Sequence, residues 1–162
     1  MPLRLRWIIL IAIVVTFVVV RPKGPAAVQP ALSALERLGY GCSDGEKELG
    51  PPNGLYQWRC TRTRDGHASI VGIEGNDRGI AGFTIDVFDT NPALARAAFA
   101  EVVTAVPPLA STPSLADALA GWSGPQASQS IDGIGVTAVC DATQCLAYVG
   151  LVPTPTQPPA PT

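Results

Sequence analysis

Four cysteines, one histidine and a cluster of arginines are the side chains of this 162-residue chain whose types and spacing bear most directly on chemistry. The cysteines stand at 42, 60, 140 and 145. Such residues hold a metal, shuttle electrons or form disulfides, and their spacing separates the three. A structural zinc site calls for two ligand pairs, each about two to four residues apart. Only Cys140 and Cys145 come near that, because 17 residues separate Cys42 from Cys60. Thioredoxin-like redox chemistry needs C-x-x-C, which the chain lacks. Two disulfides remain, and they persist only in oxidising compartments.

Four cysteines permit three connectivities, and strand geometry selects one of them. Cys140 and Cys145 bracket Asp141-Ala142-Thr143-Gln144, a loop that sets the two cysteines opposite one another on a hairpin, within disulfide range. The same register sets Val139 against Leu146 and Val136 against Val149. Cys42 and Cys60 then close the segment CSDGEKELGPPNGLYQWRC, rich in Gly, Pro and charge.

His67 is the single histidine. It follows a predicted turn and lies near Arg62, Arg64 and Asp65, but nothing adjacent in sequence supplies the oriented nucleophile and base of a hydrolase. Arg62, Arg64 and His67 therefore form a weak surface-site candidate at a solvated hairpin tip. Arg59 faces away from Arg62 and Arg64 on a strand, which argues against a single anion patch. Asp86, Asp89, Asn76 and Asp77 lack the spaced oxygens of a calcium loop and read as turn and cap residues. Neither G-x-S-x-G nor S-x-x-K occurs, and no catalytic residue, cofactor site or metal site is assigned.

The elements that must position these residues begin outside the domain. Trp7 to Val20 is an uncharged apolar run flanked by Arg4, Arg6, Arg21 and Lys23. Fourteen helical residues cover only about 21 Å of a hydrocarbon layer about 30 Å thick. Snorkelling arginines and the added Leu3 and Leu5 lengthen the span, and charged residues stand where a signal peptidase wants small ones. Residues 1–21 are therefore expected to be a membrane anchor, an uncleaved signal. Flanking positive charge is nearly balanced, so the cysteines decide orientation, with the N-terminus inside and the domain outside. Cleavage would instead yield a secreted domain.

Residues 22–30 read as a Pro-rich spacer, 31–151 as an extracytoplasmic domain with two disulfides, and 152–162 (VPTPTQPPAPT) as a disordered tail. Within the domain, Ala31 to Leu38 is a short helix stopped by Gly39. Tyr56 to Glu74 is a hairpin about Asp65-Gly66, pairing Cys60 with Val71 and Trp58 with Ile73. A third strand runs from Ile80 to Phe88, with Phe83, Ile85 and Val87 inward. Thr90 or Asn91 caps a helix that begins at Pro92, carries the stripe Ala95, Phe99, Val102, Val103 and Val106, and ends at Pro107-Pro108. A shorter helix carries Leu115 and Leu119 and stops at Gly121, above a core-plugging Trp122. Strands at about Ile134–Cys140 and Cys145–Leu151 complete an α+β fold: a single small domain with an antiparallel sheet of about five strands and helices on one face.

Charge restricts the partners. Four of the 11 Lys and Arg flank the apolar run, leaving seven against 13 Asp and Glu beyond it, a net of −6. Such a domain is a poor partner for nucleic acid. The reading that results is a membrane-tethered, non-enzymatic module that binds an envelope protein or a glycan, of undetermined oligomeric state. The competing reading is a small exported hydrolase that uses His67 with a carboxylate brought close by the fold.

Overall fold

The computed structural model describes residues 25–47, 55–89, 91–122 and 126–151. The expected anchor, the first part of the spacer and the C-terminal tail lie outside them. Among the described residues no helix is long and apolar enough to cross a membrane.

Helix α1 spans Gln29–Arg37. It starts earlier than the expected Ala31, because Val28 extends the stripe of Leu32 and Leu35 by one turn and is fully buried. Pro30 is tolerated there, since a first-turn residue has no intrahelical acceptor for its missing N–H. The folded body thus reaches into the segment read as spacer. Gly39, at φ +88°, ends the helix, and Tyr40 donates its N–H to the Leu35 carbonyl at 3.0 Å.

The strands are β1 (Gly41–Cys42), β2 (Glu46–Lys47), β3 (Tyr56–Arg64), β4 (His67–Asn76), β5 (Gly79–Val87), β6 (Gln126–Ile131), β7 (Ile134–Cys140) and β8 (Cys145–Gly150). Helices α2 (Pro92–Ala105) and α3 (Pro113–Ala120) join β5 to β6. The sheet is antiparallel throughout, in the order β1-β3-β4-β5-β8-β7-β6, with β2 also paired to β3. The expected count of five strands is corrected to seven along this path. Two-residue β1 carries too little pattern to read from sequence, and neither does β2 beside it. β6 (QASQSI) lacks the inward apolar alternation that marks a strand, and Gln129 remains exposed.

Elsewhere the register follows the hydrophobic pattern. Cys60 pairs with Val71 and Trp58 with Ile73 about a turn in which Asp65 and Gly66 have φ 53° and 82°. Gly75 marks a bulge between β4 and β5, where a Cβ would lie 2.7 Å from the Gly79 carbonyl oxygen. Asn91 caps α2 by accepting the Ala93 N–H at 3.0 Å. Ala95, Phe99, Val102 and Val103 bury against the sheet, joined by Leu109, Leu115 and Leu119. Trp122 is buried and stacks on Phe99 at 6.1 Å, as its reading as a plug requires. All helices lie on one face, over Trp58, Val71, Ile73, Phe83, Ile85, Val136 and Val149.

The disulfides join Cys42 to Cys60 and Cys140 to Cys145, and among the described residues no cysteine is free. Each bridges directly opposed strand residues, with Cα atoms 3.9 Å and 4.1 Å apart. The Cys140–Cys145 loop is organised by Asp141, whose Oδ1 accepts the Thr143 N–H at 2.7 Å, the Thr143 hydroxyl at 2.8 Å and the Gln144 N–H at 3.0 Å. Those donors hold the Asp141 carboxyl below its ordinary range.

Among the described residues nothing packs on the other face of the sheet. Arg59, Thr61, Ile70, Thr84, Asp86 and Tyr148 project from it by strand alternation. Asp86 is thereby neither a turn nor a cap residue, and its Oδ1 is buried without a partner. Burial raises its pKa, Arg59 opposes the shift and Asp141 adds to it. A carboxyl raised in the folded state binds its proton more tightly there than in the unfolded chain, so its charged form opposes folding. That penalty is present above the raised value and fades as pH falls through it. Asp86→Asn is therefore expected to stabilise the protein at neutral pH, by on the order of 1 kcal/mol or less after solvent screening. The gain should shrink in acid. Thermal melts across pH check this, and a gain that grows on acidification would refute it.

Candidate functional site

Arg62, Arg64 and His67 converge on one cleft. Register sets Arg64 opposite His67 and Arg62 opposite Ser69 at the tip of the β3–β4 hairpin. These side chains point to the helix-bearing face, just beyond the sheet area that α2 covers. Leu94, Ala97, Ala98 and Glu101 of α2 form the other wall of a cleft of about 370 Å³.

The basic groups in it are already paired. Arg62 Nη2 donates to Glu101 Oε2 at 2.7 Å and Nη1 to the Leu38 carbonyl at 2.9 Å. The guanidinium lies 4.4 Å over the Tyr40 ring, and only 10% of the side chain is exposed. The Glu101 bond raises its pKa further, against desolvation. Arg64 is more exposed and reaches Glu101 Oε1 at 3.4 Å, so one carboxylate serves both arginines. Ser69 donates its hydroxyl to the Tyr40 oxygen at 3.1 Å and is buried.

His67 Nδ1 meets Asp89 Oδ2, which corrects the picture of a solely solvated imidazole. The pair is two-sided, with His67 45% exposed and Asp89 15%. Asp89 also accepts the Asn91 N–H through Oδ1 at 2.6 Å, linking the hairpin tip to the cap of α2. This partner follows from register. Ser69 pairs with Val87, and Phe88 donates its N–H to the Ala68 carbonyl at 3.0 Å, so the same antiparallel count carries His67 to Asp89. Arg62 and Glu101, in contrast, meet only through the docking of α2.

An Asp-oriented imidazole is two-thirds of a hydrolase triad. Among the described residues the third group is missing: the Ser69 hydroxyl is spent on Tyr40, and no other described hydroxyl lines the cleft. Nor is there surplus positive charge for an anion, since Arg62 and Arg64 face Glu101 and Asp65, and His67 faces Asp89. Among the described residues no group of His, Cys, Asp and Glu is placed to hold a metal ion.

A second cleft of about 370 Å³ lies between the C-terminal end of α3 and the β6–β7 hairpin, lined by Leu119, Trp122, Ala127, Gln129, Val136 and Ala138. Its walls depend on β6, whose sequence carries no strand pattern. No protein-family model, curated protein or solved structure matches this chain.

Proposed function

We propose that the chain is a membrane-tethered extracytoplasmic binding module whose partner, an envelope protein or a glycan, rests on the uncovered sheet face. The observation that carries this reading is the face itself. Tyr148 is 41% exposed there, flanked by Gly82 and Gly150. A Cβ on either glycine would come within 3.3 Å of the Tyr148 ring or hydroxyl, so the absence of side chains leaves the tyrosine room to lie flat. Thr84 and Thr137, its direct cross-strand neighbours, supply hydroxyls on either side, and Arg59 and Thr61 stand on the same face further along the sheet, on β3. An exposed aromatic flanked by two threonines and two glycines suits an amphipathic partner. The tether and the exported orientation rest on the apolar run at 7–20 and on the disulfides.

The His67–Asp89 pair is the specific observation in favour of the second reading, a small hydrolase. One experiment separates them. The full chain is cross-linked in its own membranes and its captured partners are compared between wild type, Tyr148→Ala and His67→Asn. The same three proteins are assayed against ester, glycoside and peptide substrates. Binding through the open face predicts capture lost in Tyr148→Ala, retained in His67→Asn, and no turnover by any of them. Turnover abolished by His67→Asn would replace the binding reading with the enzymatic one.

A further inference from the structure

The two edges of the sheet are built differently. At one edge the outermost strands, β1 and β2, are two residues each, and a disulfide fixes β1 to β3. Short and pinned edges resist further pairing. At the other edge β6 offers six residues with no charge, no proline and no bulge, paired to β7 without interruption from Gln126↔Val139 to Ile131↔Ile134. Natural edge strands usually carry at least one of those protections. β6 carries none.

The hydrogen-bonding groups of β6 that no described residue takes up can be assigned. Asp132 and Gly133 both have positive φ, 51° and 82°, which makes the β6–β7 turn the two-residue type that closes on a hydrogen-bonded pair, Ile131 with Ile134. Alternation along the ladder then directs Gln129 and Ala127 to β7 and leaves the N–H and C=O groups of Gln126, Ser128 and Ser130 pointing outward. The far side of β7 agrees. Asp141 donates its N–H to the Gln144 carbonyl at 2.9 Å, which places the β7 groups bonded to β8 at the positions β6 does not use.

We propose that a second copy of this chain occupies the β6 edge, two β6 strands pairing antiparallel about a two-fold axis to make one continuous sheet. The sequence of the strand favours itself as partner. Opposed residues must face the same side of the sheet, and with Gln129 on the axis every pairing is complementary. Gln129 meets Gln129 amide to amide, Ser128 meets Ser130, and Ile131 meets Ala127, large against small. The Ile131 of one copy then lies at the mouth of the apolar cleft beside Ala127, Leu119 and Trp122 of the other. The helices of both copies remain on one face, and the two uncovered faces join into one surface. The tail at 152–162 is a poor competitor for this edge, because its five prolines lack the N–H groups that a ladder needs. Tethering would raise the effective concentration that a small edge interface requires. The pairing does not depend on what the open face binds.

The test measures the mass of the purified full chain in mild detergent by light scattering, as a function of concentration. Wild type should reach the mass of two copies. Ser128→Pro removes an outward N–H that β7 does not use, so it should leave a folded single copy. Ser128→Lys combined with Ser130→Lys keeps every backbone donor and sets lysines opposite lysines in the dimer, so it too should be a single copy by mass that still unfolds cooperatively, with a melting temperature that no longer depends on concentration. Mixing that protein with one carrying Ser128→Glu and Ser130→Glu should restore a dimer containing one of each. A wild-type chain that stays single at high micromolar concentration would overturn the proposal. So would a dimer that survives the lysine pair, since association would then run through another surface, the apolar run at 7–20 included. Loss of a foreign protein from captures of Ser128→Pro, with wild type single, would assign the edge to a foreign strand and refute the second copy.

Discussion

Replacing Cys42 by serine should cost about 3 kcal/mol of unfolding free energy, the loop-closure entropy of a cross-link spanning almost twenty residues. The cost is this large because the cross-link restricts the unfolded chain over the whole segment from Cys42 to Cys60, and in the folded chain only short β1 and β2 otherwise hold that segment to β3. Strand β1 is two residues long, and its pairing to β3 is continued beyond the disulfide by a short reciprocal contact, in which Ser43 donates its N–H to the Arg59 carbonyl at 2.9 Å and its hydroxyl oxygen accepts the Arg59 N–H at 3.2 Å. Cys140→Ser should cost less, about 2 kcal/mol, because the loop is short. Asp141 also organises that hairpin through three hydrogen bonds that do not need the sulfur bridge. In both variants the thiol left behind, Cys60 or Cys145, is fully buried and packs as a small apolar group. Urea titrations of the two variants and the wild type decide the matter. The Cys42 variant should show the lower midpoint and the steeper slope, since its unfolded chain is freed to expose more surface. Equal losses, or the larger loss at Cys140, would show that β1 holds its place without the bridge.

That contrast reflects which parts of the fold could be read from the chain. Both disulfides, the Asp65-Gly66 turn and the register of Trp58 and Cys60 against Ile73 and Val71 are local or pattern-driven, and they stand where the residues put them. The α2 stripe was legible for the same reason, since apolar residues at helical spacing have one face to bury. β6 was not legible, because its hydrogen bonds to β7 do not require an apolar inward face, and Ala127 and Gln129 leave a cleft where a core strand would bring bulk. The site divides similarly. His67 with Asp89 follows once the β4–β5 register is extended by two pairs past Ser69 and Val87, through Ala68 opposite Phe88. Glu101 lies 39 residues from Arg62, on a helix whose apolar stripe states which face is buried but not which sheet residues lie at its margin.

The Arg62–Glu101 pair is therefore where an expectation from structure departs most from one drawn from sequence alone, which would treat Arg62 as a solvated hairpin residue with nothing to lose. Glu101→Ala should destabilise the protein by about 2 kcal/mol, between the value of an exposed pair and that of a buried one. The arginine is largely enclosed, and its Nε already lacks a partner, so removing the carboxylate leaves Nη2 unpaired as well. The Leu38 carbonyl and the Tyr40 ring still hold the guanidinium in place, which limits its escape to water and keeps the penalty. Arg62→Met should cost less, because Glu101 is 30% exposed and can recover hydration, and because Arg64 remains at 3.4 Å as a second cation. Combining Arg62→Met with Glu101→Ala should recover part of the Glu101→Ala loss, since no charge is then left enclosed without a partner. Chemical denaturation of the four proteins closes the cycle. Additive losses would mean that the two side chains do not act on one another in solution, and Arg62 would revert to a packing residue that holds α1 to the hairpin through Leu38 and Tyr40.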